Sequence, residues 1–305
     1  MTEPRVYILH ENPEWLPPLL AGFAAEGVLV EELLVTGGSI DLNTAPQPGV
    51  YWSRLSASAH TRGNGFAKEN SRALLSWLEA SGVRVVNGTR VVELEVSKVR
   101  QHALLKAAGF DVPRTIAVLG TDELSARARD LGLPFITKHN QGGKGLGVRL
   151  FATYEEFDAY VQSSDFELAV DGITLLQEYL AAAEPFVTRA EFIGGRFHYA
   201  VRVDISAGSF ELCPADACVI DPVTGAEIDA FSLRKGLADD PLIEGYEHFL
   251  AANGVEVAGI EFIETVDGRR VTYDINTNTN YNPLVEASAE LPAVRALARY
   301  LGSLL

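Results

Sequence analysis

The chain has 305 residues, 47% hydrophobic and 22% charged, with a formal net charge of −16. This is ordinary globular composition, long enough for two or three packed units, and the acidic balance excludes a large basic footprint for nucleic acid. No apolar run approaches the roughly 18 residues of a membrane span, and the acids and proline in MTEPRVYILHENPEW do not suit a secretory signal, so a cytoplasmic protein without membrane contact is expected.

In chain order, apolar runs at Val6–Leu9, Val28–Val35 and Val50–Trp52 read as strands, and Phe66–Ala80 carries Leu74, Leu75 and Leu78 at helical spacing. A further strand, 83–86, closes on Asn87-Gly88, which together describes an open α/β unit with a parallel sheet. Ser97 is placed to cap a helix that Gly109 stops. A strand at Thr115–Leu119, a helix after Thr121, a strand at Pro134–Lys138, a glycine loop, a strand and a helix after Thr153 follow as a small α+β lid. Then come ITLLQEYL (173–180) and two hairpins, Val187–Ile193 with Arg196–Ile205 and Val257–Val266 with Arg269–Asn276, turning on Gly194-Gly195 and Asp267-Gly268. Helices at Pro241–Ala252 and Ala293–Leu304 complete an α/β chain, α+β in parts, divided as 1–95, 96–175 and 176–305.

Chemistry concentrates at four places. In KHNQGGKGLGV, Gly142, Gly143, Gly145 and Gly147 free the backbone to approach an anion, and Lys138 and Lys144 add charge in a chain with six lysines against nineteen arginines. The loop is neither a Walker A sequence nor a dinucleotide fingerprint, and a plain flexible turn is the competing reading. The strand ending in Gln177-Glu178-Tyr179 suits either a flat ring at its edge or a core strand reaching solvent. In GIEFIE and VTYDIN, Glu261 lies opposite its apolar neighbours, and Asp274 and Asn276 share one face while Tyr273 and Ile275 take the core face. Two carboxylates and an amide make a Mg²⁺ or Mn²⁺ ligand set, with a solvated sheet face as the alternative. Finally, Arg189 and Arg202 on the first hairpin suit a grip on carboxylate or phosphate, or surface ion pairs. Cys213 and Cys218 in ELCPADAC, with no histidine at zinc spacing, read as buried free thiols.

The order of these parts (Lys98, Lys138 before QGGKGLGV, QEYL, Arg189 and Arg202, GIEFIE, YDIN) resembles the ATP-grasp superfamily, in particular the branch of ribosomal-protein glutamate ligases and glutathione synthetases. The resemblance implies that Lys98 and Lys138 contact ATP phosphates under the glycine loop, that Gln177, Glu178 and Leu180 form the adenine hinge, and that Glu261, Asp274 and Asn276 hold Mg²⁺. It also implies that Arg202 faces the transferred phosphoryl group, with Arg189 and Lys138 beside it as catalytic groups, and that Arg54, His60 and Arg62 grip a substrate carboxylate. The activity it implies is an ATP- and Mg²⁺-dependent carboxylate–amine ligase acting through an acyl phosphate on small molecules or peptides, with a homo-oligomer as an option for its assembly; a small-molecule kinase and a non-catalytic ATP-binding regulator are the alternatives.

The chain departs from that pattern at three points. Val187 stands where relatives carry an acid, with Glu184 as the candidate substitute; FELCPADAC replaces a glycine pair; and TNTNYNP replaces a Pro-Gly turn after Asn276. Asn278, Asn280 and Asn282 are therefore expected to shape the acceptor pocket. Asp274 is read as an exposed strand-face acid whose removal costs little stability.

Overall fold

The computed structural model describes residues 3–143, 145, 147–206, 219–220, 227–228 and 230–305; Lys144, Cys213 and Cys218 lie outside the described residues. The N-terminal runs form a parallel sheet of β1 (Arg5–His10), β2 (Val30–Leu34), β3 (Gly49–Ser53) and β4 (Arg84–Val86), in the order β2-β1-β3-β4. Val6 and Ile8 of β1 enter one apolar cluster and Tyr7 and Leu9 another, so the central strand is covered on both faces. The chain leaves β1 for β2 on one side and returns to β3 on the other. The carboxyl ends of β1 and β3 therefore meet at a switch point, where an open α/β sheet forms a crevice.

Three helices follow within this part: α1 (Pro17–Ala25), α2 (Ala67–Ala80) and α3 (Thr89–Glu95). Helix α1 has no counterpart in the sequence expectation, because PPLLAGFAA starts on prolines with no polar cap and offers no polar stripe to set a period. Asn87 takes a left-handed conformation, φ 54°, and its side-chain amide ties this sheet to the strand at Val257.

Helix α4 (Lys98–Ala107) begins as expected, with the Ser97 side chain accepting from the Arg100 N–H. The lid sheet consists of β5 (Thr115–Leu119), β6 (Phe135–His139), β7 (Arg149–Phe151) and β8 (Ile173–Glu178), antiparallel in the order β5-β8-β6-β7, backed by α5 (Leu124–Leu131) and α6 (Tyr154–Val161). Strand β8 is thus central, with Leu175 and Leu176 fully buried.

The two expected hairpins are β9 (Phe186–Ile193) with β10 (Arg196–Asp204), and β14 (Val257–Glu264) with β15 (Arg270–Asn276). The short pair β11 (Val219–Ile220) and β12 (Glu227–Ile228) stands apart, whereas β13 (Phe231–Arg234) adds an edge to one sheet of order β13-β10-β9-β14-β15. Helix α7 (Pro241–Asn253) packs Ile243, Tyr246 and Leu250 under that sheet. Helices α8 (Pro283–Ser288) and α9 (Ala293–Gly302) end the chain, and α9 returns to cover the N-terminal sheet through Leu297 and Leu301. The approach is close enough that a Cβ on Gly22 of α1 would lie 2.9 Å from the Val294 carbonyl oxygen.

The sequence expectation fails locally at Tyr273. Glu261 pairs with Asp274 but Phe262 pairs with Thr272, so Tyr273 is the extra residue of a bulge and turns toward the cleft, leaving Ile275 in the core. A second correction concerns Asn282. It is buried and caps α8, accepting from the Leu284 and Val285 N–H groups at 3.0 and 3.2 Å, ahead of Pro283.

Candidate active site

A cavity of about 650 Å³ runs between the lid sheet, the C-terminal sheet and the crevice of the N-terminal sheet. Its charged end is built from cations facing acids. Lys98, on the first turn of α4, places its Nζ 2.6 Å from Asp274 Oδ1. Lys138, on β6, lies over the Tyr273 ring with its Nζ 5.4 Å from the centroid. Burial, with the Lys98 charge added, pulls the Lys138 ammonium down to about 8, and Asp274 and Glu261 only partly oppose this. Burial works against the Asp274 charge, but Lys98 and Lys138 outweigh it and hold the carboxyl down at about 2.

Arg189 is the buried pillar beneath this set. Its guanidinium donates to Glu191 at 2.6 Å, Glu261 at 2.9 Å and Thr279 Oγ1 at 2.6 Å, and Asn276 Nδ2 donates to the same Glu261 oxygen at 3.2 Å. A Cβ on Gly259 of the neighbouring strand would meet the Arg189 guanidinium at 2.7 Å, so glycine there is what lets the arginine lie across β14.

Glu261, Asp274 and Asn276 offer two carboxylates and an amide oxygen on paired strands. Glu261 Oε1 accepts from Arg189 and Asn276, and Asp274 Oδ1 from Lys98, and oxygen donors of this kind are the type that a hard divalent cation takes. Among the described residues no three His, Cys, Asp or Glu side chains gather into a metal-binding group. The third oxygen donor of the set is instead an asparagine amide.

The glycine loop closes over this end. Gly142, Gly143 and Gly145 line the cavity, while Gly147, at φ 71°, packs so tightly on the His139 ring that a Cβ would come within 2.3 Å of it. Asn140 anchors the loop base, its backbone oxygen accepting from Lys98 N and its side chain from Val99 N. The other end is apolar, lined by Ile136, Val148, Leu150, Tyr179, Leu180 and Ile263. Gln177 is buried there, and its Oε1 has no hydrogen-bond partner among the described residues. An unpaired acceptor beside a flat apolar slot fits an aromatic ring bearing an amine.

Not every expected residue lies here. Glu178 turns to the outer side, where it accepts from the Arg114 N–H and pairs with Arg269. Arg202 projects from the far face of β10 onto the Phe186 ring, with Glu184 3.9 Å away, and neither Arg202 nor Glu184 lines the cavity. Arg54, His60 and Arg62 also stand behind the lining. Arg62 is engaged with Glu11 at 2.5 Å and lies over the Trp15 ring, His60 sits on the same short 3₁₀ turn, and Arg54 is buried. Asn278 and Asn280 do line the cavity.

Several residues of the site carry no signal in the sequence. The tail after β15 alternates: Thr277 gives its N–H and hydroxyl to buried Glu95, Thr279 bonds buried Glu191, and the asparagines between and after them face the cleft. Glu95 also accepts from the Ala57 N–H, so one acid joins the N-terminal segment to this tail. An alternating Thr/Asn run with buried acids elsewhere in the chain is the only trace such pairing leaves.

No family model matches the chain. A crystal structure of a RimK domain ATP-grasp protein from Sphaerobacter thermophilus superposes with a TM-score of 0.69 at 19% identity, covering 97% of this chain and 98% of that one. The chain has the ATP-grasp fold. Among curated proteins it is 29% identical over 207 residues to a probable alpha-L-glutamate ligase of Xanthomonas oryzae, covering 64% of this chain and 68% of that protein. It is 24% identical over 212 residues to the D-alanine–D-alanine ligase of Corynebacterium jeikeium, covering 68% of this chain and 56%, just over half, of that protein. No helix among the described residues is long and apolar enough to cross a membrane.

Proposed function

We propose that this protein is an ADP-forming carboxylate–amine ligase that binds ATP with Mg²⁺ or Mn²⁺. The observation that carries the reading is the convergence of Lys98, Lys138 and Arg189 on Glu261, Asp274 and Asn276 at the polar end of a cavity whose other end is a flat apolar slot. Such a site suits a polyphosphate whose ring occupies the slot and whose charge meets lysines and a hard cation. The adenine amine would meet Gln177 Oε1 between Tyr179 and Leu180, the glycine loop would cover the phosphates, and the metal would be held by Glu261, Asp274 and Asn276. The metal supplies charge neutralisation at the reacting phosphates.

The chain's own residues do the rest. A carboxylate is a poor electrophile because its leaving group is oxide. Lysine and arginine charge lets an anionic carboxylate approach an anionic phosphoryl group, giving an acyl phosphate, ADP and then, on attack by an amine, an amide and phosphate. The closed loop keeps water from that intermediate. Similarity to two amide-forming ligases supports the reading. The substrates lie toward Ser56, Ser58, Asn278 and Asn280, which line the cavity between the N-terminal crevice and the tail. A coupled assay over pairs of carboxylates and amines is expected to show ADP release that needs both partners. Release of AMP and pyrophosphate, or ADP release indifferent to the amine, sinks the reading.

Lys138 sets a pH dependence. Its ammonium is lowered to about 8, so in the free protein its charge is lost as pH rises from 7 to 9. Nucleotide affinity is expected to fall through that range, approaching tenfold per unit above pH 8, because binding to the polyphosphate requires the protonated form. Calorimetric titration of ADP with Mg²⁺ at pH 7, 8 and 9 checks this; the slope should vanish in Lys138→Met, and an equal slope in that variant contradicts the assignment.

A further inference from the structure

Arg54 follows β3 at the switch point of the N-terminal sheet and is 1% exposed. Its guanidinium lies over the Trp52 ring, and one nitrogen donates to the Thr279 carbonyl oxygen at 3.0 Å and to Asn280 Oδ1 at 2.8 Å. Both acceptors are neutral, and no carboxylate lies within ion-pair distance of Arg54 among the described residues. Burial lowers the Arg54 guanidinium and outweighs the acid that acts on it, Glu11, which does so only at a distance and is in direct contact with Arg62. A buried cation without a contacting acid is costly, and its retention calls for an explanation.

The geometry beside it supplies one. An arginine has only donors, so the Asn280 atom facing Arg54 must be the amide oxygen, and the amide N–H₂ is the end left for the cleft that Asn280 lines. A hydrogen bond from a buried cation polarises that amide and strengthens its N–H as a donor. The charge of Arg54, too deep to touch a ligand, is passed to the cavity surface through one side chain. Two residues earlier, Asn278 presents the opposite polarity, a buried Oδ1 acceptor with no partner among the described residues.

We infer that Arg54 and Asn280 form a relayed anion-recognition element, and that the substrate bound there is an α-amino acid, its carboxylate on the Asn280 N–H₂ and its ammonium on Asn278 Oδ1. Arg54 is the positioning residue and Asn280 the contact. The inference rests on the ligase reading for its place in a reaction but not for its binding chemistry.

The test exploits Asn280→Asp, which keeps an oxygen on Arg54, makes that bond an ion pair, and replaces the donor facing the cleft by an anionic oxygen. Calorimetry on the full chain with Mg²⁺ and a non-hydrolysable ATP analogue would use the twenty amino acids, each beside its carboxamide. At least one amino acid is expected to bind the wild type, its carboxamide at least tenfold more weakly, and Asn280→Asp is expected to lose that amino acid at least tenfold while nucleotide binding is unchanged and the melting temperature is equal or higher. Equal binding by the variant, equal binding of the carboxamide, or no binding by any of the twenty overturns the inference. Amino-acid binding that follows the expected pattern without any ADP release would instead overturn the ligase reading alone.

Discussion

Replacing Asp274 by Ala is expected to lower the proposed amide-forming turnover at least a thousandfold and also to destabilise the protein by about 2–4 kcal/mol. The first effect follows from the removal of one of two carboxylates in the oxygen set with Glu261 and Asn276. The second contradicts the sequence expectation of an inconsequential surface acid. Asp274 is the counter-ion of Lys98 at 2.6 Å, and its charge also faces Lys138, so its loss leaves two buried ammonium groups in mutual repulsion. Breaking a buried pair from one side leaves an uncompensated charge, which is what makes such changes expensive. Asp274→Ala with Lys98→Met should regain much of the stability and none of the turnover. Urea unfolding and ADP release on the single and double variants separate the two roles; a single variant as stable as wild type would show that the lysines do not depend on Asp274.

Arg189→Met is expected to be the more damaging change for folding, by about 3–5 kcal/mol. Burial disfavours the Arg189 charge, but Glu191 and Glu261 more than compensate and hold it protonated far above the ordinary range. Without it, Glu191, 2% exposed, keeps only the Thr279 hydroxyl as a hydrogen-bond partner among the described residues, and Glu261 loses one of the two bonds, with that from Asn276, that hold its Oε1. Glu191→Gln added to Arg189→Met is expected to restore about half of the lost stability, because the acid stranded by the first change is removed. Chemical denaturation of the pair measures the coupling, and strict additivity would mean that the two side chains act independently.

The sequence is most informative where chemistry is carried in local pattern. Ser97 capping α4, the turns at Gly194-Gly195 and Gly268, and the order of Lys98, Lys138, Glu261, Asp274 and Asn276 are all local, and the structure brings those five side chains to one cavity. What fails is parity and partnership. Arg202 pairs across the sheet with Thr188, one residue out of step with Arg189 and its partner Val201, so the two arginines leave on opposite faces. Strand period alone makes a one-residue error a change of face. Tyr273 was displaced from the core by the same arithmetic, through a bulge that no residue type announces. Arg54 and Arg62 are arginines near the crevice of the N-terminal sheet, yet one is buried behind Asn280 and the other is bound to Glu11, since long-range partners decide what a cation is free to do. Glu95 and Glu191 were invisible for the complementary reason: their partners Thr277 and Thr279 lie 182 and 88 residues away along the chain.

The central claim, that the site activates a carboxylate by phosphorylation, is tested most directly with an ¹⁸O-labelled carboxylate substrate found by the paired ADP-release assay. Mass spectrometry of the products is expected to find one ¹⁸O atom in inorganic phosphate for each amide formed, carried there through the acyl phosphate. Label retained wholly in the organic product, or delivered to AMP, would contradict it.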